Sequence, residues 1–186
     1  MDRSLRVIFV LLVTTLVLDT YGVYRSVYDL PNFVSFNVSV LIETILLLFF
    51  FIQVFPAKVA KRVIVVVLFF LLAFWLNHFI KRGQTLFLFN CVILENTVVI
   101  ILSLCYYYQQ FLKMNMSYNY LGRRFWTVSS FFVYVSATFV LFLYIPSVSS
   151  PEFMKKYYNV NSVFIILRSI LLTITFKINN KEPGNK

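Results

Sequence analysis

Apolar residues run along this chain in long stretches separated by short polar breaks, and the breaks hold most of the charged side chains. The stretches are about 15 to 22 residues long, and about 20 apolar residues in a helix cross the hydrocarbon layer of a bilayer. The pattern therefore predicts an all-α fold of six transmembrane helices, at Leu5 to Tyr24, Val34 to Phe55, Val63 to Ile80, Thr85 to Tyr108, Phe125 to Ile145 and Val160 to Ile178. No segment between them is long enough to fold in water by itself. The expected architecture is a single integral membrane domain over residues 1–186, a compact six-helix bundle.

The first stretch has two readings. Its apolar core, Val7 to Leu18, follows the basic start Met-Asp-Arg-Ser-Leu-Arg, which is the layout of a secretory signal. The residues after it, Asp-Thr-Tyr-Gly-Val-Tyr, offer no small-x-small cleavage site, so a retained first helix is expected.

Lysine and arginine set the orientation. With both termini cytoplasmic, the inner segments hold eleven of them, from Arg3, Arg6, Lys58, Lys61 and Arg62 to the tail lysines, against five outside at Arg25, Lys81, Arg82, Lys155 and Lys156. Positive residues gather on the cytoplasmic side of membrane proteins, so this topology is favoured. If the last stretch did not span, its three tail lysines would move outside and the bias would vanish.

Composition agrees with the pattern. The chain is 60% hydrophobic and 13% charged, with 22 Phe and 12 Tyr. Soluble domains are about 45–50% apolar and about 25% charged. The net charge of +10 does not point to nucleic acid, because the basic residues sit in small groups at the ends of apolar runs and not on one solvated face. They suit an anionic cytoplasmic leaflet instead, at about 1 kcal/mol per basic residue near the surface. The bias towards Lys, Asn, Ile and Phe suggests an AT-rich bacterial coding sequence, and the expected location is a bacterial cytoplasmic membrane.

Cys91 and Cys105 share one apolar run, about 21 Å apart along a helix axis, too far for an intrachain disulfide. With His78 the one histidine, no four-ligand structural zinc site is expected, and no cofactor. The segment Gln109 to Arg124 reads as an interfacial piece or a polar inner loop. Tyr106 to Tyr108, Trp126, Tyr157 and Tyr158 fall where spans meet water, as in an aromatic belt.

Against this background three ionisable residues stand out. Glu43, Glu95 and Arg168 each lie about 8 to 10 residues past the outer start of the second, fourth and sixth spans, a depth of about 12 to 15 Å. Each charge costs about 2.5 to 3.5 kcal/mol to insert, so such groups face the bundle interior and pair there. The simplest arrangement joins Arg168 to one or both glutamates and leaves a carboxyl over that can gain and lose a proton. A purely structural buried triad is the competing reading.

Other polar groups lie in the same outer half. Asp19 closes the first span a turn after Thr15, and Asn77 and His78 close the third, where ordinary solvated end residues are the simpler reading. In the fifth span Thr127, Ser130, Tyr134 and Thr138 form a stripe, and in the sixth Asn161, Arg168 and Thr175 recur every seven residues. LIET (Leu41 to Thr44) and ILEN (Ile93 to Asn96) each follow a Phe-Asn pair, either as a trace of duplicated hairpins or because Asn is a good helix N-cap.

No Gly-rich phosphate loop and no nucleophile beside a base occurs, so an enzyme is not the expectation. The expected function is a non-enzymatic sensing or binding module using the Glu43, Glu95 and Arg168 layer, with His78, Asp19, Tyr134 and Asn161 as further candidates. Its partners would be membrane lipids and either further copies of the chain or a membrane partner protein. A small proton-coupled transporter or channel is the first alternative. A lipid-modifying enzyme working through Glu43, Glu95 and His78 is the second.

Overall fold

Helix starts in this chain carry the wrong charge for the helix dipole, which disfavours cations at an N-terminus. In a computed structural model of the chain, which describes residues 3–28, 33–82, 88–112, 122–144 and 151–177, there are six helices. They are α1 (Arg3–Val27), α2 (Phe33–Val54), α3 (Lys58–Arg82), α4 (Phe89–Leu112), α5 (Arg123–Tyr144) and α6 (Pro151–Lys177). Arg3 and Arg6 open α1, Lys58, Lys61 and Arg62 open α3, and Arg123 and Arg124 open α5, with no acid in any of those first turns. A soluble helix gains nothing from this order. A membrane helix does, because its basic residues must reach the headgroups at one side while their stems lie along the apolar run.

Among the described residues all regular structure is helical, and five of the helices, α1 to α5, are long and apolar enough to cross a membrane. In α6 side chains are described only at Val160 and at 163–177, and it falls outside that set. The helices extend past the apolar stretches. α3 starts at Lys58, ahead of the apolar run that opens at Val63, and α6 starts at Pro151, where a first-turn proline loses no hydrogen bond. By contrast α4 begins at Phe89, four residues after the predicted start, so Glu95 lies about 9 Å along its helix while Glu43 lies about 15 Å along α2. Residues 113–121, most of the predicted interfacial piece, lie outside the described residues, as do the side chains of Tyr157 and Tyr158.

The chain forms two units, Met1–Glu95 and Asn96–Lys186. In the first, α1 packs on α2 and α2 on α3. The buried positions Ser4, Leu5, Ile8 and Leu11 of α1 and Leu47, Phe50, Phe51 and Val54 of α2 follow the three- and four-residue steps of a helix face. Higher up, Gly22 of α1 lies beside the ring of Phe36, which a Cβ there would meet in ordinary contact at 3.6 Å. Pro56 ends α2, since the residue before a proline is steered out of helical geometry. The turn is tight: Ala57 O already accepts the N–H of Lys61 in α3 at 3.2 Å.

In the second unit α5 packs on α6. Val128, Phe131 and Val135 of α5 and Leu172 of α6 are buried together with polar residues, Thr127, Ser130, Thr138, Arg168 and Thr175. Tyr107 of α4 joins α5: its hydroxyl donates to Ser129 Oγ at 2.9 Å, and its ring meets those of Phe125 and Phe132 edge-on. Of Tyr106 to Tyr108, all expected in an aromatic belt, Tyr106 is buried, Tyr107 is tied to α5 and Tyr108 faces outward.

Large apolar side chains cover the outside. Val66, Phe69, Phe70 and Ile80 of α3 are all more than half exposed, and only 17% of the apolar window of α3 is buried within the protein. In water such a surface would drive aggregation. In lipid it is the solvent-facing side, and the polar residues are the ones turned inward.

Candidate functional site

Asn37 is where the site begins to be built. It sits in the second turn of α2, 1% exposed, and its Oδ1 accepts the backbone N–H of Leu88 at 3.0 Å. Leu88 O in turn accepts the first helical N–H groups of α4, from Cys91 and Val92. Asn37 thus does not cap its own helix, the role weighed from the sequence. It holds the start of α4 against α2, across 51 residues of chain.

With α4 anchored in this way, the first two turns of α4 close a small cavity with α2 and α3. Its lining is Val40, Leu41 and Thr44 from α2, Leu71, Phe74 and Trp75 from α3, and Cys91 and Glu95 from α4. Water-sized molecules have about 10 Å3 of room for their centres there. Glu95 is 6% exposed, and its carboxyl is within electrostatic reach of Glu43 and hydrogen-bonding reach of the Thr44 hydroxyl. Glu43, on a different helix, is thus near enough for its charge to act on Glu95. Glu43 itself is half-buried.

Trp75 forms the α3 wall. Its ring is 6% exposed and stacks on Phe79, with centroids 4.5 Å apart and planes 13° apart. Leu88 and Cys91 complete its packing, with Leu41 and Phe74 at the margin. The indole Nε1–H is fully enclosed and meets no acceptor among the described residues. That is uncommon, because a buried indole N–H normally finds a partner. Thr44 has a different arrangement: its hydroxyl donates to Val40 O at 2.9 Å and lies within hydrogen-bonding reach of Glu95.

Tyr134 and Arg168 come together in the second unit. The guanidinium carbon lies 4.2 Å from the Tyr134 ring centroid, a cation–π contact on a side chain only 7% exposed. Arg168, Leu172 and Thr175 share the buried face of α6, as the seven-residue spacing of Arg168 and Thr175 requires. Along α5 the hydroxyls of the predicted stripe donate to their own helix: Thr127 to Arg123 O, Ser130 to Thr127 O and Thr138 to Tyr134 O, each at 2.9 Å. Such bonds satisfy the hydroxyl locally and leave it a small, close-packing group.

The remaining candidates stand apart from the cavity. His78 donates from Nδ1 to Phe74 O at 2.9 Å, and its ring lies 4.2 Å from that of Phe74, the next turn down from the cavity wall. Asp19 is exposed on α1. The Asn161 side chain lies outside those described. Among the described residues no three His, Cys, Asp or Glu side chains gather as a metal-binding group.

Trp75, Thr44, Cys91 and Asn37 were not among the site residues expected from the sequence. For Trp75 a signal was present: it lies well inside the third span, not at the headgroup level where membrane tryptophans concentrate. Asn96 is a further buried amide, with Nδ2 unmatched by any acceptor among the described residues. No family model matches the chain, and comparison with curated proteins and with solved structures gave no match.

Proposed function

We propose that this chain is a non-enzymatic membrane module that senses or binds a small polar ligand through the Glu43–Glu95 acid pair. The observation that carries the reading is Glu95, an acid 6% exposed beside a second acid and a cavity, on a helix long and apolar enough to span a bilayer. Placing Glu95 there opposes folding, since burial takes its water away and the charge of Glu43 repels it. Membrane proteins retain such groups for binding, proton transfer or transport. Arg168, at a comparable depth by sequence, is proposed to complete the polar layer.

The same reading places both termini in the cytoplasm, takes α6 as a sixth span and puts the basic helix ends against an anionic leaflet of a bacterial cytoplasmic membrane. The acid pair also favours a second reading, proton-coupled transport or conduction, because a carboxyl in a membrane is the usual carrier of a translocated proton.

Reconstitution separates the two. In liposomes under an imposed proton, Na+ or K+ gradient, the binding reading expects no flux from folded protein. Native mass spectrometry should then detect a small molecule retained by the wild-type protein and lost in Glu95→Leu. Flux that disappears in Glu43→Gln or Glu95→Gln would establish transport in its place.

A further inference from the structure

Trp75 presents the one group in the cavity lining whose chemistry is unmet and directional. An indole N–H is a donor only and needs a lone pair opposite it. Ammonium groups have no lone pair, and alkali cations repel the positive hydrogen, so neither suits this wall. A purely apolar occupant would leave the N–H as it is. The Glu95 carboxyl and the Thr44 oxygen, whose hydroxyl donates to Val40 O and lies within hydrogen-bonding reach of Glu95, line the same cavity. The lining therefore holds a donor and acceptors together with apolar walls from Val40, Leu41, Leu71 and Phe74.

We infer that the cavity between α2, α3 and α4 is a hydroxyl-binding subsite, in which one hydroxyl oxygen accepts from the Trp75 indole N–H and its hydrogen is donated to Glu95 or Thr44. A hydroxyl is the smallest common group that both accepts and donates from one atom. The space agrees: about 10 Å3 is the room that the centre of one water-sized group needs. Two sources supply this chemistry. One is water itself, with three polar groups in the lining, the usual number of partners for an internal water. The other is the hydroxyl end of an alcohol or of a glycerol-bearing lipid, whose carbon atoms would lie along the apolar walls. The inference rests on the binding reading for why the site exists, and it names the part of the ligand the site recognises.

Trp75 and Trp126 are the two tryptophans, so Trp126→Phe leaves a single indole N–H as a reporter. With that variant carrying 15N-labelled tryptophan in micelles, NMR cross-relaxation from the Trp75 indole proton should show a nearby hydroxyl proton at the water frequency. Added methanol distinguishes the sources. A new cross-peak from the indole proton to the methanol methyl group means that the subsite takes alcohols, and an unchanged water peak means that it holds water alone. Both outcomes support the subsite. In the same background Glu95→Leu should abolish the hydroxyl contact while leaving the ring-current shifts of the Trp75–Phe79 stack in place, and Thr44→Val should weaken the contact if the leucine variant does not fold. An indole proton with no cross-peak to water or methanol, in folded Trp126→Phe protein, overturns the inference. That result is distinct from failure of the binding reading, which would appear as a bare mass spectrum or as ion flux with the hydroxyl contact intact.

Discussion

Glu95 combines two costs in one residue: it gives up solvation, and it does so beside Glu43. Replacing a buried charge by an apolar residue of similar volume is often neutral or stabilising, by about 1–4 kcal/mol. Glu95→Leu should therefore leave the thermal unfolding temperature in detergent unchanged or raise it, while the retained small molecule is lost. A large fall in stability would mean that the acid serves folding. Arg168 has the opposite expectation, because the Tyr134 ring is its observed neighbour at 4.2 Å. A desolvated cation–π contact is worth about 2 kcal/mol, so Tyr134→Leu should destabilise the protein by roughly that amount in an SDS unfolding titration. Tyr134→Phe keeps the ring face and should lose less than half as much.

At the scale of the helix, two contacts fix how α1, α2 and α4 meet. Asn37 supplies the acceptor for Leu88 N–H, and a buried backbone N–H left without one costs about 1–3 kcal/mol. Asn37→Leu should speed amide hydrogen exchange at residues 88–92 while exchange in α5 stays unchanged; Asn37→Asp keeps an oxygen in place and should restore much of the protection. Equal protection in Asn37→Leu would show that α4 is held by other means. Gly22 is a milder case. A methyl group there would meet Phe36 at 3.6 Å, ordinary contact, so Gly22→Ala should be tolerated and should gain about 0.5–1 kcal/mol of helix stability in the same SDS titration.

Over the whole molecule, apolar run length and basic helix ends were enough to place the helices, because in a membrane each span must satisfy its own backbone and wear its apolar residues outside. At Lys58 α3 overran the predicted span, because a membrane helix continues through the headgroup layer, where hydropathy says nothing. The burial of Glu95 was also legible, since lipid leaves an acid few choices. Asn37 was not legible as a site residue, and for Trp75 the sign was its depth in the span and no more. Their roles depend on which helix lies alongside, and a pattern of single-helix periods does not carry that information. The tyrosines of α4 show the same limit, because only the neighbouring Ser129, Phe125 and Phe132 explain why Tyr107 faces inward.

The account depends on α2 and α4 turning their acids towards each other, and this is open to direct measurement. In a cysteine-free background made by Cys91→Ala and Cys105→Ala, nitroxide labels at Glu43→Cys and Glu95→Cys report their separation by electron paramagnetic resonance in nanodiscs. The account predicts strong dipolar broadening in the doubly labelled protein. A spectrum equal to the sum of the two singly labelled proteins would contradict it.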